Sequence, residues 1–245
     1  MKYIYKRQII GYFTSFVLTT IYSVCFIDNN IFLCMFGLLG IIAVITFLPA
    51  ARKELQYPYN LHTLLYYLPM YVWGGEVIVH PEKFRFISCP IWFRLGCIIT
   101  VLLLVLSRWK DIYRIVNHPS SNLPISKRIF FEEILSFFVA LLSEEIFFSA
   151  FLITLLKDLG SYIAIIISAI VFVIIHYLNR WSGTMFNKKD YLYMGMLAII
   201  KGMAYLRTSD LFLVIALHFI YNTSDLYVLI KRYNIRDEKV FFDDY

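Results

Sequence analysis

Charge is scarce in this chain. Asp, Glu, Lys and Arg together make up 16% of its 245 residues, against 60% hydrophobic side chains, whereas soluble domains carry roughly 25% charged residues. That balance excludes an ordinary water-soluble domain and leaves one membrane domain as the economical reading. Cysteine is equally uninformative as a framework. Cys25, Cys34, Cys89 and Cys97 lie in or beside apolar runs, with neither CxxC nor a His-paired zinc spacing, so no disulfide scaffold or thiolate metal site is indicated. No internal repeat and no low-complexity segment is present. The formal charge of +6 does not imply nucleic acid, because the basic residues sit in short clusters between apolar runs rather than on one surface. The apolar stretch that follows Lys2, Lys6 and Arg7 imitates a secretory signal, but it ends Ser-Val-Cys-Phe-Ile-Asp without a small-x-small site. It is expected to be a retained first helix.

What is abundant is long hydrophobic sequence. A spanning helix needs ~20 mostly apolar residues, and the pattern predicts an all-α polytopic membrane protein with about eight transmembrane helices. The expected spans are 8–27, 31–49, 61–80, 88–107, 130–157, 161–179, 191–206 and 210–230, the third interrupted by Pro69, Gly74, Gly75 and Glu76. Eight spans with both termini cytoplasmic put seventeen Lys and Arg in inner segments against four (Lys83, Arg85, Lys157, Arg207) in outer loops, as the positive-inside rule requires. The long connection 108–128 carries Pro119 and Pro124. Three segments are expected within the single membrane domain: helices and a cytoplasmic loop over 1–128, a catalytic helical core over 129–230, and a cytoplasmic tail over 231–245.

Ionisable side chains inside a bilayer cost several kcal/mol by some scales, so each calls for an explanation. Glu144 and Glu145 lie mid-way along the fifth span, His176 on the sixth, Lys201 on the seventh, and His218 with Asn222 on the eighth. Counting ~1.5 Å per residue from the inner interface places the glutamates ~15–20 Å deep, His218 and Asn222 ~12–18 Å, and His176 only ~5 Å. His218 and Asn222, four apart, share a helix face, as do Phe172 and His176. Glu144 and Glu145 point ~100° apart and are expected to have different roles, with Glu145 on the face of Ser149.

Three motifs in order carry a resemblance: Glu144-Glu145-Ile-Phe-Phe-Ser149, Phe172-Val-Ile-Ile-His176 and His218-Phe-Ile-Tyr-Asn222. Over 130–230 the chain resembles the CPBP (CAAX protease and bacteriocin-processing, Abi) intramembrane proteases, whose motifs are Glu-Glu-x-x-x-Arg, Phe-x-x-x-His and His-x-x-x-Asn on three helices. The resemblance implies peptide-bond hydrolysis in the membrane: Glu144 with His176 activating water, His218 and Asn222 stabilising the oxyanion, and Glu145 orienting the base. It leaves the metal open. A divalent ion such as zinc could be held by Glu144, His176 and His218, yet no HExxH is present.

The departure is Ser149, which stands where the family has arginine. Either Glu145 is protonated, or Lys201 from the next-but-one helix supplies the missing charge. The implied substrate is a peptide or membrane-protein precursor, in bacterial peptide maturation, bacteriocin immunity or CAAX-like processing. The Ile-, Tyr- and Lys-rich composition points to a bacterial plasma membrane. A non-catalytic CPBP-fold regulator or scaffold binding a protein partner is the alternative that Ser149 keeps open, and a small transporter is a third; oligomeric state is not legible.

Overall fold

The computed structural model describes residues 89–178 and 187–235, together with Tyr67 and Met70. The expected spans 8–27, 31–49 and, apart from those two residues, 61–80 lie outside the described residues, as does most of the tail.

Among the described residues the chain is helical, with no strand. Helix α1 is Ile91–Ser107 and α2 is Trp109–Val116. Helix α3 runs Lys127–Leu159 and α4 Ser161–Leu178. Helix α5 is Lys188–Thr208, α6 Leu211–Tyr221 and α7 Thr223–Asn234. By length and composition, among the described residues α3 alone is long and apolar enough to cross a membrane. The bent pairs α1–α2 (62°) and α6–α7 (57°) each pass the same test as one broken span, and α4 is apolar but shorter. Helices therefore occupy each expected span from the fourth to the eighth, and the eighth is broken at Asn222. The connection 108–128 is not plain loop: it holds α2 and a 3₁₀ turn, Pro119–Asn122.

Local chemistry explains the helix ends. Ser126 caps α3 by accepting from the Ile129 N–H (3.3 Å). Asn187 and Asp190 form a reciprocal capping box on α5, and Asp190 also meets Arg108 at 3.3 Å. Asp210 caps α6 through the Leu213 N–H (3.1 Å) and pairs with Arg94 at 3.1 Å. Arg94, a cation on an otherwise apolar helix, thereby has a carboxylate partner.

Two tight turns set the register. Gly160, at φ +119°, reverses the chain between α3 and α4, a conformation that L side chains rarely adopt. Ser209, at φ 49°, and Asp210 do the same between α5 and α6. Such short connections make consecutive helices antiparallel neighbours.

Midway along α3 the hydrogen bonding widens into a π-helix, Glu145–Leu152, in which every residue but Ile146 is buried. Phe147, Phe148, Phe151 and Leu152 form its core with Ile165, Phe172 and Ile175 of α4. A second cluster joins Val101 and Leu104 of α1 to Leu197 and Ala204 of α5 and Leu213 and Leu217 of α6. Between these layers α5 approaches α4 at Gly202, where an added Cβ would lie 2.9 Å from Ile165 Cγ2 and 3.2 Å from Ile153 Cδ1.

Gly202→Leu overpacks this crossing and is expected to destabilise the fold by about 1–3 kcal/mol. Thermal unfolding in detergent reads the loss. Gly96→Ala is the comparison, since nothing lies within 4 Å of its added Cβ, and its midpoint is expected to hold or rise.

Candidate active site

Each ionisable residue in the apolar core has to find a partner, because an unpaired buried charge costs far more than a paired one. Glu145 is 0% and Lys201 1% exposed, and they answer each other: the Lys201 ammonium donates to Glu145 Oε1. The same oxygen accepts from His218 Nδ1 at 2.5 Å, and Oε2 accepts from the Ser149 hydroxyl at 2.7 Å. Three donors therefore converge on one carboxylate. Of the two routes open for balancing Glu145, the structure takes the one through Lys201.

Those contacts fix the histidine tautomers by elimination. A carboxylate can only accept, so His218 Nδ1 carries a hydrogen and donates it to Glu145. Lys201 Nζ lies 3.3 Å from the same nitrogen, as a neighbour sharing Glu145. His176 Nδ1 faces the backbone carbonyl of Phe172 at 2.9 Å, so it too is a donor.

Both Nε2 atoms turn toward Glu144. His176 Nε2 is 3.8 Å from Oε1 and His218 Nε2 is 3.9 Å from Oε2. These spacings exceed a hydrogen bond, and they let one oxygen atom sit about 2.8 Å from both the carboxylate and an imidazole. Glu144 is buried, while His176 keeps 20% of its side chain exposed. Phe172 packs under the group, its ring 4.3 Å from that of His176 and 4.6 Å from the Lys201 ammonium. A ring face beside a desolvated cation is attractive in its own right.

Glu144, His176 and His218 line a cavity of about 590 Å³ together with Asn222. Asn222 sits at the α6–α7 bend, its backbone N–H donating to the His218 carbonyl at 3.1 Å. The cavity continues past Phe137, Leu141, Met194 and Leu197 to Arg108, Arg114 and His118 beside α2. Its outer part is held by Arg108, which lies over the Tyr221 ring at 4.7 Å and beside Asp190. Arg108 and Asp190 were not legible as site residues, since each reads from sequence as a helix-end side chain, and Tyr221 falls at an unspecified position of the third motif.

Depth counted from the membrane interface sets His176 ~10 Å from the glutamates, yet it stands 3.8 Å from Glu144. Counting from the turns instead gives the right level. Glu145 is fifteen residues before Gly160 and His176 sixteen after it; Lys201 is eight before Ser209 and His218 eight after Asp210. Equal arms on antiparallel helices bring their residues to one height, whatever the depth of the turn.

Among the described residues no group of three His, Cys, Asp or Glu side chains has the arrangement of a metal site.

No curated protein and no solved structure matches the chain. Residues 127–224, which hold all three motifs, match the family model described as type II CAAX prenyl endopeptidase Rce1-like, and over this segment the chain is similar to the CPBP family of proteases.

Proposed function

We propose that the protein is a glutamate-dependent intramembrane endopeptidase that cleaves a peptide or membrane-associated precursor. The observation that carries this reading is the convergence of two imidazole Nε2 atoms on the single carboxylate of Glu144, at 3.8 and 3.9 Å, in a cavity also lined by Asn222.

A water between Glu144 and His176 donates one hydrogen to the carboxylate and the other to His176 Nε2, and the lone pair of its oxygen is aimed at the scissile carbonyl carbon. As the oxygen–carbon bond forms, Glu144 takes the proton. The carbonyl oxygen becomes an oxyanion. His218, whose Nδ1–H is held by Glu145, donates to it from Nε2 when the ring carries both hydrogens, and the Asn222 amide supplies a second donor. Glu144 then returns its proton to the departing nitrogen as the carbon–nitrogen bond breaks, leaving an amine and a carboxylic acid, whose remaining hydroxyl proton passes to His176 Nε2 and on to solvent as the carboxylate forms. In a water-poor site each of these contacts is worth more than in solvent.

The family and the apolar helices support a membrane-bound peptidase; the substrate is the open part. A cavity of about 590 Å³ has room for a few residues of extended peptide, which suits a local segment rather than a folded domain. We assign the bacterial plasma membrane as its place and a small precursor, of the kind used in peptide maturation or bacteriocin immunity, as its substrate.

Two outcomes follow. Glu144→Gln keeps the size of the side chain and removes the base, so it is expected to lower product formation by about 10²–10⁴-fold. Peptidomics of cells carrying wild type against this variant reads it as a precursor that accumulates and a product that disappears. An unchanged peptide set, with the biological effect of the protein intact, would assign the chain as a scaffold instead. Asn222→Ala is expected to lower kcat by about 10²-fold with little change in KM, as loss of one oxyanion donor does. Chelator treatment is expected to leave turnover unchanged; loss restored by zinc would make Glu144, His176 and His218 metal ligands.

A further inference from the structure

A second glutamate beside a catalytic one is a liability unless its charge is met, and at residue 149, where the motif places a cation one turn away, this chain has serine. The nearest cation comes from another helix. Lys201 reaches Glu145 from α5, fully buried, over the ring of Phe172. Gly202, its neighbour in sequence, has no side chain and lets α5 close on Ile165 and Ile153. Without that approach the ammonium would stop short of the carboxylate.

The pair does more than cancel a charge. Glu145 Oε1 is shared between Lys201 and His218 Nδ1, so the ammonium holds in place the oxygen that holds the ring. The ring's direction in turn decides where Nε2 points, and Nε2 is 3.9 Å from Glu144 Oε2. We propose that Lys201 is a positioning residue for His218, acting through Glu145 and replacing from α5 the cation that the motif otherwise carries at residue 149. The charge-balancing task has moved between helices while the carboxylate it serves has stayed in place. Ser149 is then no sign of a dead site, because its hydroxyl fills the second oxygen of a carboxylate already balanced.

The proposal rests on the peptidase reading for its activity arm, and a spectroscopic arm stands apart from that reading. Residue 149 and Lys201 address the same carboxylate, so a cation at either position should serve. Lys201→Met, which keeps length and loses charge, is expected to cut formation of the Glu144-dependent products about a hundredfold. Lys201→Ala combined with Ser149→Arg is expected to recover at least about tenfold of that loss, because the guanidinium regains the i,i+4 pairing and fills the space vacated. A role in packing alone predicts no such recovery. Failure of the double variant to regain activity, in protein shown folded by thermal unfolding, would overturn the proposal. So would full activity of Lys201→Met.

The second arm is ¹⁵N spectra of imidazole-labelled protein in detergent, with His218 assigned by its loss in His218→Gln. Wild type and the double variant should show a hydrogen-bonded Nδ1–H on His218, and Lys201→Met should lose or shift it. An unchanged His218 signal in Lys201→Met would refute positioning even if no cleaved peptide is ever found. Unchanged peptides in Glu144→Gln with a displaced His218 signal in Lys201→Met would instead reject the peptidase reading and keep Lys201 as the residue that orients His218.

Discussion

A carboxylate carried into an apolar helix bundle must be neutralised by something within reach, and in this protein that requirement organises the centre of the molecule. Glu145 binds three helices together through its two oxygens: its own by way of Ser149, α5 by way of Lys201, and α6 by way of His218. Taking one partner away from such a group is costly because the charge left behind has no water to turn to. The surrounding features follow from it. Gly202 permits the close crossing, Phe172 offers a ring face to the cation, and the short turn at Ser209 and Asp210 puts Lys201 and His218 at one height.

Against this background the two adjacent glutamates divide their labour by environment. Glu145 accepts three hydrogen bonds and has no exposure, and so is suited to holding other groups still. Glu144, one residue earlier and about 100° around the helix, meets only imidazole nitrogens at distances beyond hydrogen bonding and borders the cavity. Neighbours in sequence thus receive one structural and one chemical environment, which is the usual way two like groups come to different tasks.

Much of this was legible in the chain itself. Intramembrane ionisable residues are few enough to stand out, and Glu144, Glu145, His176, His218 and Asn222 do line or adjoin one group. Lys201 was legible as the candidate counter-charge because it is the lone cation of its apolar segment. Less accessible was the shape of the helices. A π-helix depends on side-chain packing around Phe147, Phe148 and Phe151 rather than on a residue pattern, and the break at Asn222 falls where sequence alone reads a continuous apolar helix. The outer cavity was hidden for another reason. Arg108 and Asp190 sit at the ends of different helices, 82 residues apart, and no local spacing relates them.

The equal arms around Gly160 and around Ser209 and Asp210 restrict how the family segment can change length. One residue added between Glu145 and Gly160 would raise the glutamates by ~1.5 Å relative to His176 and swing them by ~100°, breaking the contacts on both faces at once. An insertion in one arm survives only with a matching insertion in the other, or where a wider turn of helix absorbs it. The π-helix at Glu145–Leu152 is a wider turn of that kind, placed where it adjusts the phase of the glutamates before the chain reaches the turn. Gaps in this segment are therefore expected to come in pairs on facing helices, with single ones confined to the connections beyond the site.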